Sequence, residues 1–379
     1  MLTDRDLIEE IDALRPLAYE VIDFVHGHPE LGHAEHECSA YLAGTLARGG
    51  YEVERGVGDM PTAFRARLTG VRPGRTVGIV VLYDAVPAVR SDGRLQATHS
   101  CGHGPMSGGV TAAALALAAL RERMAGEVVI MGCPADEIHA PGTVEHGGGK
   151  ALSAAAGLWD DVDVALYAHP ERNDTVTLAS LWMRRERATV SGQRSLRAND
   201  DQRALVALRD LGAILDRLPP DRVLVEEVHA RGDVEEGAGL VLDATFLVFG
   251  DDERTLEAEG RPLRAALPEA RWTLGPVVCG VRPNDAVTAA VASAFAAAGR
   301  GFVADPPPLP FATDFGNISQ RVPAALIGIG RPGGWGFHTD AGAQEFAGPA
   351  GREVAVAMAQ VLALSTARLV EPGPGLEAG

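Results

Sequence analysis

Residues 77–83 read VGIVVLY, an almost unbroken apolar run, and no other segment constrains the fold as strongly. A strand that is apolar at consecutive positions is buried on both faces, which is typical of a parallel sheet covered by helices. Further runs with strand character lie at 63–68, 128–131, 162–167 and 324–329. Among them, residues 108–124 have an Ala- and Leu-rich helical composition. This alternation predicts an α/β fold with a mainly parallel mixed sheet flanked by helices.

The composition changes near residue 180. The segment that follows is richer in charge, and alternating strand patterns lie near 182–190, 223–229 and 239–249, with a helix at about 201–217. Strands with one exposed face indicate a small α+β domain. Apolar helical patterns resume at about 284 and end with a helix at 349–368. We therefore predict one domain, 1–179 and 282–379, interrupted by an inserted domain at 180–281.

Charge and hydropathy exclude several classes of function. Asp and Glu number 51 against 34 Lys and Arg, which gives a formal net charge of −17. Such a field repels phosphate backbones and anionic lipid, so no nucleic-acid or membrane partner is expected. The start, MLTDRDLIEEID, has no apolar signal segment, and the densest apolar run, 111–120, is too short to span a bilayer. The four cysteines form no disulfide pattern. We expect a soluble, cytoplasmic protein.

Polar side chains with metal-binding chemistry follow the predicted strands or precede the Ala-rich helix. They are Asp84, Cys101, His103, Asp136, Glu137, His169 and His338. Ligands bind at the carboxyl ends of strands in open α/β sheets, so these groups are expected to meet at one edge. Each has an ordinary explanation alone, such as a solvated acidic turn or a loop histidine. Together they form the ligand set of zinc and related ions, and we predict a metal site.

Six motifs carry a family resemblance that spans nearly the whole chain. They are His28-Pro-Glu-Leu-Gly32, Asp84-Ala-Val-Pro87, Cys101-Gly-His103, Pro134-Ala-Asp-Glu137, Ala168-His-Pro170 and Thr313-Asp-Phe-Gly-Asn317. In this order they resemble the dinuclear metal amidohydrolases, which include hippurate hydrolase, indoleacetyl-amino-acid hydrolase and aminobenzoyl-glutamate hydrolase. Met60-Pro-Thr-Ala-Phe-Arg65 is most similar to the aminobenzoyl-glutamate branch. The resemblance implies a zinc-peptidase-like catalytic domain and an inserted lid domain that usually forms a homodimer.

The resemblance also implies roles for individual residues. The metal ligands would be Cys101, His103, Glu137, His169 and His338, with the Cys101 thiolate bridging two divalent ions, zinc or manganese. Asp136 occupies the position of the general base, and Asp84 would orient a ligand imidazole. The two cations would activate a shared water and polarise the scissile carbonyl.

Three departures from the family pattern bear on the activity. The base is normally Glu, one methylene longer than Asp136. The lid segment 191–198, SGQRSLRA, lacks the family's substrate-facing His, and Gly104 stands where Asp or Asn is common. Arg194 or Arg197 could replace the imidazole as a carboxylate clamp, although both could equally be ordinary surface residues. Asn317 is a further candidate for substrate binding.

We therefore expect a metal-dependent hydrolase that cleaves an amide bond of a small carboxylate-bearing substrate. An N-acyl amino acid, a dipeptide or an aminobenzoyl-glutamate-like compound would fit. Two alternatives stay open. The same fold could serve another hydrolytic reaction, such as aromatic amine deamination or cleavage of a biosynthetic intermediate. Otherwise the protein is a non-catalytic metal-binding relative, although retention of all five ligand positions argues against that.

Overall fold

The computed structural model describes residues 2–89, 94–191, 202–233 and 239–372. The chain divides into two compact units. The first unit contains Met1–Ala179, Val281–Pro307 and Asn317–Gly379, and the second contains Ser180–Gly280 and Pro308–Gly316. The second unit thus takes in the short segment Pro308–Gly316, which was not predicted to belong to it. The predicted domain boundaries remain a proposal.

A six-stranded mixed sheet forms the centre of the first unit. Its strands, in spatial order, are β1 (Glu52–Arg55), β2 (Phe64–Thr69), β6 (Ala125–Gly132), β3 (Arg72–Val81), β7 (Val164–Glu171) and β12 (Ala324–Gly330). The pairings β6–β3, β3–β7 and β7–β12 are parallel, while β1–β2 and β2–β6 are antiparallel. Residues 77–79 of β3 pair with strands on both sides, which explains their unbroken apolar character. The predicted mainly parallel sheet is confirmed.

Helices flank this sheet. They are α1 (Asp4–Ala13), α2 (Arg15–Gly27), α3 (His36–Arg48), α4 (His103–Ala119), α5 (Pro141–His146), α6 (Gly149–Ala155), α9 (Asp285–Ala297), α11 (Asp340–Ala347) and α12 (Pro349–Leu369). Helix α4 is buried along most of its length, and Gly and Ala residues let α2 and α12 pack closely against it. The short helix α10 (Phe315–Ser319) and the antiparallel strand pair β4 (Val86–Val89) and β5 (Leu95–Thr98) lie outside the two larger sheets.

Two of the boundaries that differ from the sequence prediction matter for the site. Helix α4 begins at His103, five residues before the predicted start at 108, because Gly102 adopts a left-handed φ of 99° and turns the chain into the helix. Strand β7 continues to Glu171, so His169 lies within the strand and not after it.

The second unit contains a four-stranded antiparallel sheet. In spatial order its strands are β11 (Arg271–Val278), β8 (Trp182–Ser191), β10 (Gly239–Gly250) and β9 (Val223–Asp233). Helices α7 (Gln202–Leu215) and α8 (Glu253–Ala266) contribute Leu211, Leu256 and Leu263 to the same buried cluster as Phe246 of β10. This additional α+β layer matches the predicted fold class, although α8 and β11 were not predicted. None of the helices in the described ranges has the length and apolarity needed to cross a bilayer.

Candidate metal centre

The Cys101-Gly-His103 turn places two potential ligands at the start of α4. Gly102 is the N-cap, and a Cβ there would lie 2.8 Å from Pro170 Cγ and 3.1 Å from Phe346 Cε1. Both its left-handed conformation and this close packing therefore require glycine. The turn orients the Cys101 thiol and the His103 imidazole to the same side of the first unit.

The Asp84 carboxyl group links two of the predicted ligands. His103 Nδ1 lies 2.7 Å from the backbone oxygen of Asp84 and 3.1 Å from its Oδ1, and both side chains are buried. Because a carbonyl oxygen only accepts, His103 Nδ1 carries a proton, and in the neutral ring Nε2 would offer its lone pair to a cation. The other carboxylate oxygen of Asp84 accepts the backbone N–H of Glu137 at 2.9 Å. Asp84 thus fixes one imidazole and the backbone of a second ligand.

A left-handed residue precedes the two acidic residues of the 134–137 loop. Ala135 has a φ of 58°, a conformation that non-glycine residues rarely adopt. Its N–H donates to Glu35 Oε1 at 2.8 Å, and the Thr62 hydroxyl donates to Glu35 Oε2 at the same distance. The fully buried Glu35 therefore holds the strained turn that aims Asp136 and Glu137, a role that the sequence analysis missed.

His169 approaches the cluster from the end of β7. Its Nε2 lies 3.8 Å from Cys101 Sγ, and its Nδ1 lies 3.5 Å from Glu171 Oε1. A carboxylate on the far ring nitrogen of a histidine commonly orients a metal-binding imidazole and makes it more basic. Glu171 was not singled out from the sequence, because the predicted strand ended before it.

His338 reaches the cluster from the loop between β12 and α11. It adopts a left-handed φ of 58°, and its N–H donates to the backbone oxygen of Ser100 at 2.8 Å. Its Nε2 lies 3.8 Å from Glu137 Oε2, and 53% of its side chain is exposed. His338 is therefore the most accessible of the five predicted ligands and lies on the open side of the cluster.

The five predicted ligands form two overlapping groups that share Cys101. Within each group, one ligand atom per residue lies within 4.8 Å of the others. The groups are Cys101 with His103 and His169, and Cys101 with Glu137 and His338. A thiolate common to two sets of donors is the arrangement expected of a bridging ligand between two cations. The structure thus brings together residues from β7, from the start of α4 and from two loops.

The charge balance of this cluster also fits a cation. Burial, with the neighbouring Asp84 and Asp136 carboxylates, raises the pKa of Glu137 to about 7 against the lowering effect of His103. Burial likewise raises the pKa of the Cys101 thiol. Within the described chain, the buried atoms His103 Nε2 and Glu137 Oε1 have no hydrogen-bond partner. An imidazole nitrogen and a carboxylate oxygen that lack hydrogen-bond partners and lie close to a thiol are suitable ligand atoms for divalent ions.

Asp136 has a different environment from Glu137. One of its oxygens, Oδ1, pairs with Lys150 Nζ, and the other, Oδ2, lies 3.4 Å from His103 Nε2. Burial alone would raise the pKa of Asp136, but the Lys150 ammonium and the His103 imidazole hold it well below its usual range. Asp136 is therefore a carboxylate directed at the cluster. This ion pair was not predicted from the sequence.

The remaining candidates are two arginines outside the described residues and one asparagine in a short helix. Arg194 and Arg197 fall within 192–201, which the structure does not describe. Asn317 lies in α10. The proposed substrate contacts of these arginines and of Asn317 remain predictions.

Known proteins resemble the chain in sequence. A family model described as Peptidase family M20/M25/M40 matches residues 83–363. The chain is 32% identical over 178 residues to one of the subunits of p-aminobenzoyl-glutamate hydrolase from Escherichia coli (strain K12). The aligned region covers 44% of this chain and 35% of that protein. It is 31% identical over 175 residues to thermostable carboxypeptidase 1 of Saccharolobus solfataricus, with coverages of 43% and 42%. The match thus spans well under half the length of either curated relative.

Solved structures resemble the chain over nearly its whole length. The Bacillus subtilis YXEP protein, a dinuclear metal binding peptidase from the M20 family, gives a TM-score of 0.71 at 18% identity and covers 95% of this chain and 99% of that chain. An aminobenzoyl-glutamate utilization protein from Klebsiella pneumoniae gives a TM-score of 0.72 at 17% identity, with coverages of 95% and 98%. Because the sequence identities are only 18% and 17%, these comparisons show a similar fold and nothing further.

Proposed function

Because the chain belongs to Peptidase family M20/M25/M40, we propose that it hydrolyses an amide bond with the help of two divalent cations. Family membership confirms the resemblance predicted from the motifs, and the relatives are named hydrolases and carboxypeptidases. The single observation that carries the proposal is the pair of ligand groups that share Cys101.

We assign the cation ligands to Cys101, His103, Glu137, His169 and His338. When bound, the two cations would supply an acidified water and a polarised scissile carbonyl. Their identity is zinc or manganese, and the thiolate and imidazole donors favour zinc. None of the four cysteines, all of which lie in the described ranges, is in a disulfide bond, which supports a cytoplasmic location because that compartment keeps thiols reduced.

The protein's own groups then move and hold the protons. Asp136 takes a proton from the attacking water through Oδ2, which faces the cluster, and passes it to the leaving nitrogen. Asp84 and Glu171 hold the Nδ1 atoms of His103 and His169, so that both imidazoles present Nε2 to the cluster. The exposed His338 lies where a substrate would enter.

The proposed substrate is a small molecule with a carboxylate next to the scissile amide. Further relatives are named N-acyl-L-amino acid amidohydrolase of Geobacillus stearothermophilus and N-acetyl-L-cysteine deacetylase of Bacillus subtilis, and both names describe removal of an acyl group from an amino acid. Arg194 and Arg197 remain our candidates for the carboxylate clamp, with Asn317 as a further contact.

The test is a hydrolysis panel with the zinc- and manganese-loaded protein. It should contain N-acetyl amino acids, dipeptides and p-aminobenzoyl-glutamate, with aryl amines and esters as compounds without the amide bond. We expect turnover of amides that carry a carboxylate, and weaker turnover of the matching amino acid amides. Turnover confined to aryl amines would overturn the proposal and favour a deaminase.

We also propose a homodimer formed through the second unit. Strand β9 is an edge strand, and its apolar side chains Leu224, Val225 and Val228 are 46%, 44% and 40% exposed. An exposed apolar edge strand is a template for pairing with another chain. Sedimentation analysis should give a dimer for the wild type and a monomer for Val225→Lys. Leu274→Lys, equally exposed on the opposite edge strand β11, is the matched control and should stay dimeric.

A further inference from the structure

Asp136 lies where it could itself bind a cation. His103, Asp136 and Glu137 form a third group whose potential ligand atoms all lie within 4.8 Å of one another. A carboxylate that binds a cation loses much of its basicity, and it is then a poor acceptor for the proton of an attacking water. The proposed base therefore needs a feature that keeps it off the cations.

The side chain of Lys150 supplies a competing positive charge. It is fully buried, its Nζ pairs with Asp136 Oδ1, and the same atom lies 5.4 Å from the centroid of the Tyr167 ring. A buried lysine is costly unless its charge is paired, and the Asp136 carboxyl group lies in direct contact with the Lys150 ammonium.

The backbone fixes Lys150 in this place. The preceding residue, Gly149, donates its N–H to Pro134 O at 3.0 Å, and a Cβ at Gly149 would lie 2.1 Å from that oxygen. The Ser153 hydroxyl donates to Lys150 O at 2.7 Å and accepts the Trp159 indole N–H at 2.9 Å. The start of α6 is thus locked against the loop that carries Asp136.

From this geometry we propose that Lys150 is a positioning residue that keeps the Asp136 carboxylate outside the cation coordination shell. The inference rests on the proposed function, since it assumes that cations occupy the cluster. With Oδ1 held by the ammonium group, only Oδ2 is directed at the reaction. Closer approach of Asp136 to a cation would draw its carboxylate away from Lys150 Nζ and weaken a buried ion pair, which is unfavourable.

The experiment uses Co²⁺, whose visible absorption weakens as its coordination number rises. The full chain is loaded with Co²⁺ as wild type, Lys150→Met, Lys150→Arg, Asp136→Asn and the double variant Lys150→Met/Asp136→Asn. We expect weaker visible bands in Lys150→Met, because the released carboxylate becomes a ligand. Lys150→Arg should keep the wild-type spectrum, and the double variant should match Asp136→Asn, which has no carboxylate to release. Lys150→Gln replaces Lys150→Met if the latter does not fold.

Turnover provides a second readout with the substrates of the panel above. Lys150→Met should lower kcat by on the order of 100-fold with little change in KM, and Lys150→Arg should restore most of it. A wild-type spectrum together with an unchanged kcat in Lys150→Met would overturn the inference. Binding of Co²⁺ without turnover by the wild type would overturn the proposed function instead, while the spectra would still decide the role of Lys150.

Discussion

Both units bury glutamates, but they neutralise them in different ways. In the second unit, Glu186 is fully buried and accepts hydrogen bonds from Arg184 at 2.6 Å and from Arg264 at 2.7 Å. In the first unit, Glu137 is also buried, yet it lies beside Asp84 and Asp136 and its pKa is raised to about 7. In the second unit, arginine side chains neutralise the buried carboxylate. In the first unit, a bound cation would neutralise the negative charge of the carboxylates around Glu137.

This difference separates a structural ion network from a functional one. A buried carboxylate paired with arginine is a poor metal ligand and a poor base, since arginine stays charged and occupies the oxygen lone pairs. A buried carboxylate beside other carboxylates, a thiol and imidazoles is unfavourable in its charged form without a cation. A cation bound there would offset the negative charge and could activate a water. The following predictions test this distinction, beginning with the largest expected effect.

Glu137→Ala should abolish turnover, with a loss greater than about 1,000-fold, because it removes a cation ligand from the group with Cys101 and His338. Elemental analysis should find at least one cation fewer per chain than in the wild type. The control is Glu257→Ala in the second unit, where Glu257 pairs with Arg184 and Arg264, and it should keep both cations and full turnover. Equal cation content in Glu137→Ala and wild type would contradict the ligand assignment.

Asp136→Ala should lower kcat by roughly 100- to 10,000-fold, the usual contribution of a general base. Both cations should be retained, because Asp136 is proposed as a base and not as a ligand. Steady-state kinetics with parallel elemental analysis separates this result from that of Glu137→Ala. Undiminished turnover would mean that another group is the base.

Arg264→Met should destabilise the second unit by about 3 kcal/mol, at the lower end of the cost of breaking a buried ion pair, since Arg184 still pairs with Glu186. Chemical denaturation measures the change in free energy of unfolding. Cation content should be unaltered, which distinguishes this network from the cluster around Cys101. The exposed pair Arg209–Asp210 offers a control, and Arg209→Met should have little effect.

Glu35→Gln should flatten the pH dependence of stability of the metal-free protein. Burial and the nearby Asp84 charge raise the pKa of Glu35 to about 8, whereas its unfolded value is 4.5. A pKa raised on folding contributes stability that is complete below about pH 4.5 and is lost as pH rises toward 8. The difference between wild type and variant should change by at most about 1.4 kcal/mol per pH unit. A difference that is constant from pH 5 to 8 would contradict a protonated Glu35.

The sequence predicted the parts of the site that depend on strand order. Asp84, Glu137 and His338 come together because strands β3, β6 and β12 end at the same edge, and apolar runs reveal such strands. The sequence could not predict Lys150 at Asp136, because nothing local distinguishes a buried lysine from an exposed one. Glu35 was missed for the same reason, since its contact with Ala135 depends on a left-handed turn 100 residues away.

Elements of the second unit were harder to predict. Helix α8 contains Gly260 and Pro262, which disfavour a helix, and tertiary packing of Leu256 and Leu263 overrides that preference. Strand β11 contains Gly275 and Pro276 and shows no clean alternation, because its pairing with β8 is irregular between Leu274 and Val277. Local sequence is a weak guide where packing decides.

The most direct test of the account is the cation content per chain of protein purified without chelator. Elemental mass spectrometry would compare the wild type with His169→Ala, which removes one ligand and leaves Glu171 in place. We expect about two zinc or manganese ions per wild-type chain and at least one fewer in the variant. Absence of bound metal in the wild type, even after zinc and manganese are added back, would contradict the dinuclear centre and the hydrolysis built on it.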